Sequence, residues 1–372
     1  MDTIGHPLPH VAAIPPYPPG RPVDAVAREF GLEPRSIVKL ASNENPLGCS
    51  PAVTRAISGI ATRPNIYPDF DSYELRHAIA DHVGVSADHI LPGEGSSEII
   101  QLATRAYLCA GRSAVIPQYS FQAYAQLTKS VEAEPIIVPA RDYRVDLPAV
   151  RAAVTAGTHV VFIGTPNNPT GTIVPPEELE KLASELPPHV LLIVDEAYRE
   201  FVDAAQQPDI VGMLARRRNM LVLRTFSKLH GLAGLRVGYG IGDPELLQML
   251  RRLQLPFSVS SVGQVAAVAA LGDKEFAERS RQTNESERAR LGEAFAARDL
   301  DFIPSFGNFV LVKVGDGATC SREMMSRGVI VRPVGNYGLP EWIRVSVGLP
   351  EENDRFLATL DAVLARSPAH AG

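Results

Sequence analysis

The sequence predicts an α/β protein, with a large domain built on a mostly parallel sheet covered by helices on both faces and a smaller α+β domain beside it. Three observations carry that expectation. From residue 90 to residue 241, short continuous runs of Val, Ile and Leu alternate with segments of helical spacing, which is the pattern of strands buried on both faces. At 372 residues the chain exceeds what one compact core serves. Beyond about residue 260 the pattern changes to a long arginine-rich helical stretch followed by strands and helices in mixed order. The expected division is an N-terminal arm and part of the small domain over 1–41, the large domain over 42–260, and the small C-terminal domain over 261–372.

The elements follow in order. Pro7, Pro9, Pro15, Pro16, Pro18 and Pro19 make the first segment an extended arm, because proline removes a backbone donor and fixes φ. Residues 23–30 have helical spacing, and 37–41 read as a short strand running into the turn-rich Ser42-Asn-Glu-Asn-Pro-Leu-Gly48. A helix starts at Pro51, where proline is tolerated in a first turn; 63–69 is extended between prolines, and 72–83 is an amphipathic helix. Ile90-Leu91 leads through Gly93-Glu-Gly-Ser-Ser-Glu98 into a helix reaching 108. Strands are expected at 113–116, 135–138, 158–163, 190–194, 220–223 and 237–241, with helices at 119–129 and 175–185 among them. The last part reads as a helix at 273–298, a strand at 308–314, a helix near 319–327, strands at 329–332 and 342–347, a helix at 351–364 and a frayed tail from 367.

Composition narrows the function classes. The net charge of -6 argues against nucleic-acid or anionic-membrane partners, which favour a basic surface. No apolar run approaches the ~20 residues of a membrane span, and the opening Met1-Asp-Thr-Ile-Gly-His6 lacks a signal peptide's features, so a cytoplasmic location is expected. Cys49, Cys109 and Cys320 are odd in number and far apart, without metal-ligand or disulfide spacing.

The chemistry centres on Lys228. It follows the apolar run 220–223 and therefore lies just past a strand end, where α/β sheets bind ligands. A solvated surface lysine is the plain alternative, and the neighbours Thr225, Ser227 and Arg236 weigh against it. Gly93-Glu-Gly-Ser-Ser-Glu98 adds glycines at a strand-to-helix turn with Ser96 and Ser97 at the helix start, a ready anion site. Gly164-Thr-Pro-Asn-Asn-Pro-Thr-Gly171 follows a strand and offers rigidly held amides at Asn167 and Asn168. Asp195 ends a buried apolar strand, where a carboxylate needs a partner, and Tyr198 lies three residues on. The apolar-Asp-Glu pattern also suits a nucleotide-binding Mg²⁺ site, but the companion phosphate loop G-x-x-x-x-G-K-[ST] is missing from the sequence. An anion cradle, a buried carboxylate, an amide and phenol pair, the aromatic Tyr119 and a lysine together match one cofactor, pyridoxal 5′-phosphate, with its phosphate, ring nitrogen, phenolic oxygen and aldehyde.

The chain resembles the fold-type I pyridoxal-phosphate aminotransferases, specifically the histidinol-phosphate aminotransferase group. The motifs are Ser42-Asn-Glu-Asn-Pro46, Tyr67-Pro-Asp69, Gly95-Ser-Ser-Glu98, Thr165-Pro-Asn-Asn-Pro-Thr-Gly171, Asp195-Glu-Ala-Tyr198, Thr225-Phe-Ser-Lys228, Gly234-Leu-Arg-Val-Gly238 and Ile343-Arg-Val-Ser-Val-Gly348. They occur in order over nearly the whole chain. The resemblance implies that Lys228 carries the cofactor and shuttles the proton between Cα and C4′, and that Asp195 keeps the ring nitrogen protonated. It further implies that Asn168 and Tyr198 bond the phenolic oxygen, that Tyr119 stacks on the ring, and that Ser96, Ser97, Thr225, Ser227 and Arg236 take the phosphate. Tyr67 would reach the phosphate in a neighbouring subunit, making the active unit a homodimer. Arg344 would grip the substrate α-carboxylate; Arg332, Tyr17 and Asn45 complete the implied substrate contacts, with Arg332 and Tyr17 at the distal end. Pro117-Gln-Tyr-Ser-Phe121 departs from the group's Tyr-x-x-Tyr form, which keeps phenylalanine or tyrosine open as donor alongside histidinol phosphate, with 2-oxoglutarate accepting. A related phospho-amino-acid decarboxylase is a third reading.

Overall fold

A computed structural model describes residues 5–16, 18–60 and 64–365. Seven strands form the central sheet in the spatial order Ile90–Gly93, Gly238–Gly242, Met220–Thr225, Leu191–Asp195, Thr158–Gly164, Ser113–Pro117 and Glu134–Val138. From Met220–Thr225 outward to Glu134–Val138 every pairing is parallel, whereas Gly238–Gly242 pairs antiparallel with both of its neighbours. Alternate residues of the strands feed two separate apolar clusters. Val161, Ile163, Leu192, Val194 and Val222 face one side, and Val160, Phe162, Leu191, Ile193, Leu221 and Leu223 face the other. Burial on both faces explains why the strands read as continuous apolar runs.

The register sets the site. Gly164 lies opposite Asp195, Asp195 opposite Leu223, and Thr225 opposite Gly238. The carboxyl ends of three parallel strands thus finish on one edge, where the following loops converge.

The small domain holds a four-stranded antiparallel sheet in the order Arg332–Val334, Leu339–Ser346, Phe309–Lys313 and Phe302–Ile303. Its core gathers Leu291, Phe295, Val310, Val312, Phe356 and Leu360, and Leu40 joins them from the start of the chain. Val38–Lys39 pairs in parallel with Val329–Ile330, which ties the segment after the arm to the small domain.

Some elements differ from the sequence reading. The strand expected over 329–332 is two short strands in different sheets, because Val329–Ile330 pairs with Val38–Lys39 and Arg332–Val334 with Leu339–Ser346. The helix expected from 119 begins only at Ala123, since Tyr119 adopts a left-handed φ of 57° and opens a turn. The helix Ser261–Gly272, on the C-terminal side of the boundary drawn at 260, packs on the large domain's helices Pro51–Ile60 and Tyr73–Val83. Its Ala266, Ala267 and Ala270 join the same cluster as the sheet. Among the described residues no helix is long and apolar enough to cross a membrane.

Candidate active site

At the carboxyl edge of the sheet lies a cavity of about 370 Å³, lined by residues from the arm, the large domain and the small domain. That volume is in the range of small-ligand sites. Of the sequence-predicted residues, Ser96, Ser97, Asn168, Asp195, Tyr198, Thr225, Ser227, Lys228, Arg236, Arg332 and Arg344 line it.

The anion cradle forms where strand Ile90–Gly93 turns into helix Gly95–Tyr107. Gly95 has a φ of 72°, and a Cβ there would lie 2.8 Å from Arg236 Nη2. A Cβ on Gly238 would lie 2.4 Å from the backbone nitrogen of Ser96. Gly95 is therefore favoured by its left-handed backbone, and Gly238 is required by the close approach of the Ser96 backbone. Opposite the helix start, the Thr225 hydroxyl donates to Ser227 Oγ at 3.0 Å and accepts the Ser227 N–H at 3.1 Å. Arg236 donates from Nη1 to the Ala233 carbonyl at 3.1 Å and reaches Ser227 Oγ at 3.5 Å. Backbone N–H groups at a helix start, two hydroxyls and a guanidinium thus face one end of the cavity, the donor set that a phosphate needs.

Asp195 is 7% exposed. Its Oδ2 accepts the Tyr124 hydroxyl at 2.7 Å, and its Oδ1 accepts the Ala197 N–H at 3.1 Å. Burial raises its pKa, and the Tyr124 and Ala197 hydrogen bonds oppose that rise. Tyr198 receives a hydrogen bond from Asn43 Nδ2 at 3.0 Å, and burial pushes its phenol up to about 12. It is therefore a neutral donor at ordinary pH.

Lys228 donates to the Ser42 carbonyl at 3.3 Å and lies 5.6 Å from the centre of the Tyr198 ring. Burial is the main reason its amine is pushed down to about 8; Arg344 and Arg236 act in the same direction, while Glu44 and Asp195 oppose. An amine of that pKa is partly neutral near pH 7, as a nucleophile must be.

Arg344, on strand Leu339–Ser346, donates from Nη1 to Asn168 Oδ1 at 2.6 Å and from Nη2 to the Ala41 carbonyl at 2.8 Å. Its Nε is buried with no protein partner, and the cavity wall it belongs to suits an acidic ligand group. With the Asn168 oxygen engaged, its NH₂ remains to donate. Arg332, opposite Arg344 across the sheet, donates to the Pro18 carbonyl on the arm at 2.7 Å.

Three predicted residues lie elsewhere, and a fourth is not among the described residues. Asn45 is not in the cavity wall; it donates to the Leu229 carbonyl at 2.6 Å and to Ser280 Oγ at 3.0 Å, clamping the loop that follows Lys228. Tyr119 is likewise absent from the wall: its left-handed backbone turns the ring toward Tyr143, 5.9 Å away. Phe121 and Tyr124 provide the aromatic wall instead. Tyr67 is 78% exposed and stacks on Phe257 with 4.6 Å between ring centres. Tyr17 lies outside the described residues.

Asn43, Tyr124 and Glu44 line the cavity without having been singled out. Asn43 sits in the quoted Ser42-Asn-Glu-Asn-Pro46 motif, so its signal was present. Tyr124 carries no local signal, because its partner Asp195 is 71 residues away.

Comparison with known proteins agrees with this geometry. The family model described as aminotransferase class I and II matches residues 35–360. Histidinol-phosphate aminotransferase 1 of Cupriavidus pinatubonensis is 49% identical over 359 residues, covering 95% of this chain and 96% of that protein. Histidinol-phosphate aminotransferase 2 of Ralstonia nicotianae is 48% identical over 370 residues, covering 97% and 98% respectively. The crystal structure of histidinol-phosphate aminotransferase from Sinorhizobium meliloti in complex with pyridoxal 5′-phosphate superposes with a TM-score of 0.90 at 30% identity, covering 98% of this chain and 99% of that one. With a match across most of its length and a lysine, a carboxylate and a set of anion-binding donors converging at the sheet edge, this chain belongs to the class I and II aminotransferases.

Proposed function

We propose that the chain is a pyridoxal 5′-phosphate-dependent aminotransferase that moves an amino group between histidinol phosphate and 2-oxoglutarate. The observation that carries the reading is the convergence, in one cavity, of an anion cradle, a buried strand-end carboxylate and a lysine of lowered pKa. The residues fit the cofactor: Gly95 and Gly238 clear the ground beside the cradle, and no carboxylate other than Asp195 and Glu44 lines the cavity.

When bound, pyridoxal 5′-phosphate supplies an aldehyde that condenses with amines and a ring that accepts the electron pair left at the substrate's Cα. Ser96, Ser97, Thr225, Ser227 and Arg236 hold its phosphate. Asp195 holds the proton at the ring nitrogen, and Asn168 and Tyr198 donate to the phenolic oxygen. Lys228 would hold the cofactor through its amine and would carry the proton to and from the substrate's Cα. Arg344, whose Nε alone has no protein partner, would bind the α-carboxylate of the amino- or keto-acid substrate. Arg332 and Tyr17 meet the distal end of the substrate. Relatives at 48–49% identity over nearly the whole chain favour histidinol phosphate over an aromatic amino acid as donor.

The active unit in this reading is a cytoplasmic homodimer in which Tyr67 reaches the phosphate in the partner subunit. Support comes from an aromatic group left open to solvent: Tyr67 stacks on Phe257, and Phe70 meets the same ring edge-on. The test is a half-reaction screen. Purified protein supplemented with pyridoxal 5′-phosphate is mixed with histidinol phosphate, phenylalanine, tyrosine or aspartate, and loss of the visible band is followed. Histidinol phosphate is expected to react fastest. A protein that stays colourless overturns the cofactor, and faster reaction with phenylalanine or tyrosine overturns the substrate.

A further inference from the structure

Tyr124 occupies a place that the assigned chemistry does not use. It belongs to helix Ala123–Ser130 and is 2% exposed. Two rings fix it: Phe162 of strand Thr158–Gly164 stacks on it at 4.6 Å with 7° between planes, and Phe121 meets it edge-on at 5.7 Å. Held in this way, the hydroxyl has one acceptor, Asp195 Oδ2 at 2.7 Å. Removing the hydroxyl would leave Asp195 with only the Ala197 N–H on its other oxygen.

We propose that Tyr124 is a positioning residue for the cofactor's ring nitrogen: by donating to one oxygen of Asp195 it fixes the plane of the carboxylate and keeps it in its charged form. The inference rests on the reading of Asp195 given above. The groups facing Asp195 are Tyr124 from the helix, Glu196 and Tyr198 from the segment at its own strand end, and Lys228 from the loop beyond the neighbouring strand. Glu196 opposes the carboxylate's charge and Lys228 supports it. Burial pushes the Tyr124 phenol well up, so it stays a donor throughout the working pH range. Loss of this donor raises the proton affinity of Asp195, so the carboxylate is neutralised at a higher pH and the charge facing the ring nitrogen is lost earlier on acidification.

The test compares wild type with Tyr124→Phe, which keeps both ring contacts. Cofactor-free protein is titrated with pyridoxal 5′-phosphate across pH 5 to 8, and the dissociation constant is read from quenching of protein fluorescence. A hydrogen bond to a charged group is worth about one pKa unit or more, so the acid limb of binding is expected to move up by roughly one pH unit. On the acid limb, below the wild-type midpoint, the affinity should fall up to about tenfold, with kcat for the donor half-reaction reduced and its KM little changed. Phe162→Leu, which loosens the ring packing and leaves the hydroxyl, controls for a merely structural role and should move the acid limb less than Tyr124→Phe does. An unshifted acid limb in a Tyr124→Phe protein that melts with wild type overturns the proposal. An equal shift in Phe162→Leu also overturns it. Wild-type protein that binds no cofactor sinks the functional reading instead.

Discussion

Replacing Lys228 with Met should make the cofactor-free protein more stable at neutral pH. In the folded chain the Lys228 amine is pushed from 10.5 to about 8, mainly by burial. At 1.36 kcal/mol per unit, a shift of roughly 2.5 units corresponds to about 3 kcal/mol. The sign follows from proton counts: between pH 8 and 10.5 the unfolded chain binds the lysine proton and the folded chain does not, so stability rises with pH across that window. Below pH 8 the full cost of holding an ammonium in the site remains. Methionine fills a similar volume and carries no charge. Lys228→Met is therefore expected to raise the urea midpoint of the cofactor-free protein at pH 7 by on the order of 1 M, with the gain shrinking to nothing near pH 10.5. Comparing variant and wild type at each pH cancels the titration of all other groups. A variant no more stable than wild type at pH 7, or a gain that ignores pH, would refute the account of Lys228 as a desolvated amine.

Two further predictions concern the cradle and the open aromatic group. Gly238→Ala places a Cβ 2.4 Å from the Ser96 nitrogen, so the helix start must shift and the affinity for pyridoxal 5′-phosphate, measured by equilibrium dialysis, should fall at least about tenfold; unchanged affinity would remove the cradle from that helix start. Phe257→Asp puts a charge under the exposed Tyr67 ring, 4.6 Å away in wild type, and on the proposed homodimer reading should yield a monomer in sedimentation velocity with loss of activity. A dimer that survives the substitution places the interface elsewhere.

Much of the site could be read from strand ends. Asp195, Lys228 and Asn168 each follow a continuous apolar run, and parallel strands bring such ends to one edge whatever their order. Direction is harder to read: Gly-Tyr-Gly-Ile-Gly at 238–242 has the apolar and small residues of a buried strand, and nothing in that pattern records that it runs against its neighbours. Helix Ser261–Gly272 escapes periodicity because small apolar residues surround it on most sides, leaving no polar stripe to define a face. Asn43 and Asn45 show the limit most clearly. They are two residues apart in one motif and chemically identical. What separates them is the pairing of Asn43 with Ser346, whose Oγ accepts the Asn43 N–H at 2.8 Å and donates to Asn43 Oδ1 at 3.1 Å. That contact spans 303 residues and leaves no trace in local sequence.

The same long span bears on how the protein is made. Leu40 receives a backbone hydrogen bond from Ser346 and gives one to Ile330, and Val38–Lys39 finds its only strand partner, among the described residues, at Val329–Ile330. A ribosome adds roughly 5–20 residues per second, so the 303 residues between Asn43 and Ser346 take about 15–60 s to synthesise. Only over the 104 residues from Gly242 to Ser346, roughly 5–20 s, can the large sheet close, its strands then being complete, while Val38–Lys39 still lacks the strand it pairs with. The nascent chain thus holds every residue of the anion cradle for several seconds before it has Arg344 or the Ser346 partner of Asn43.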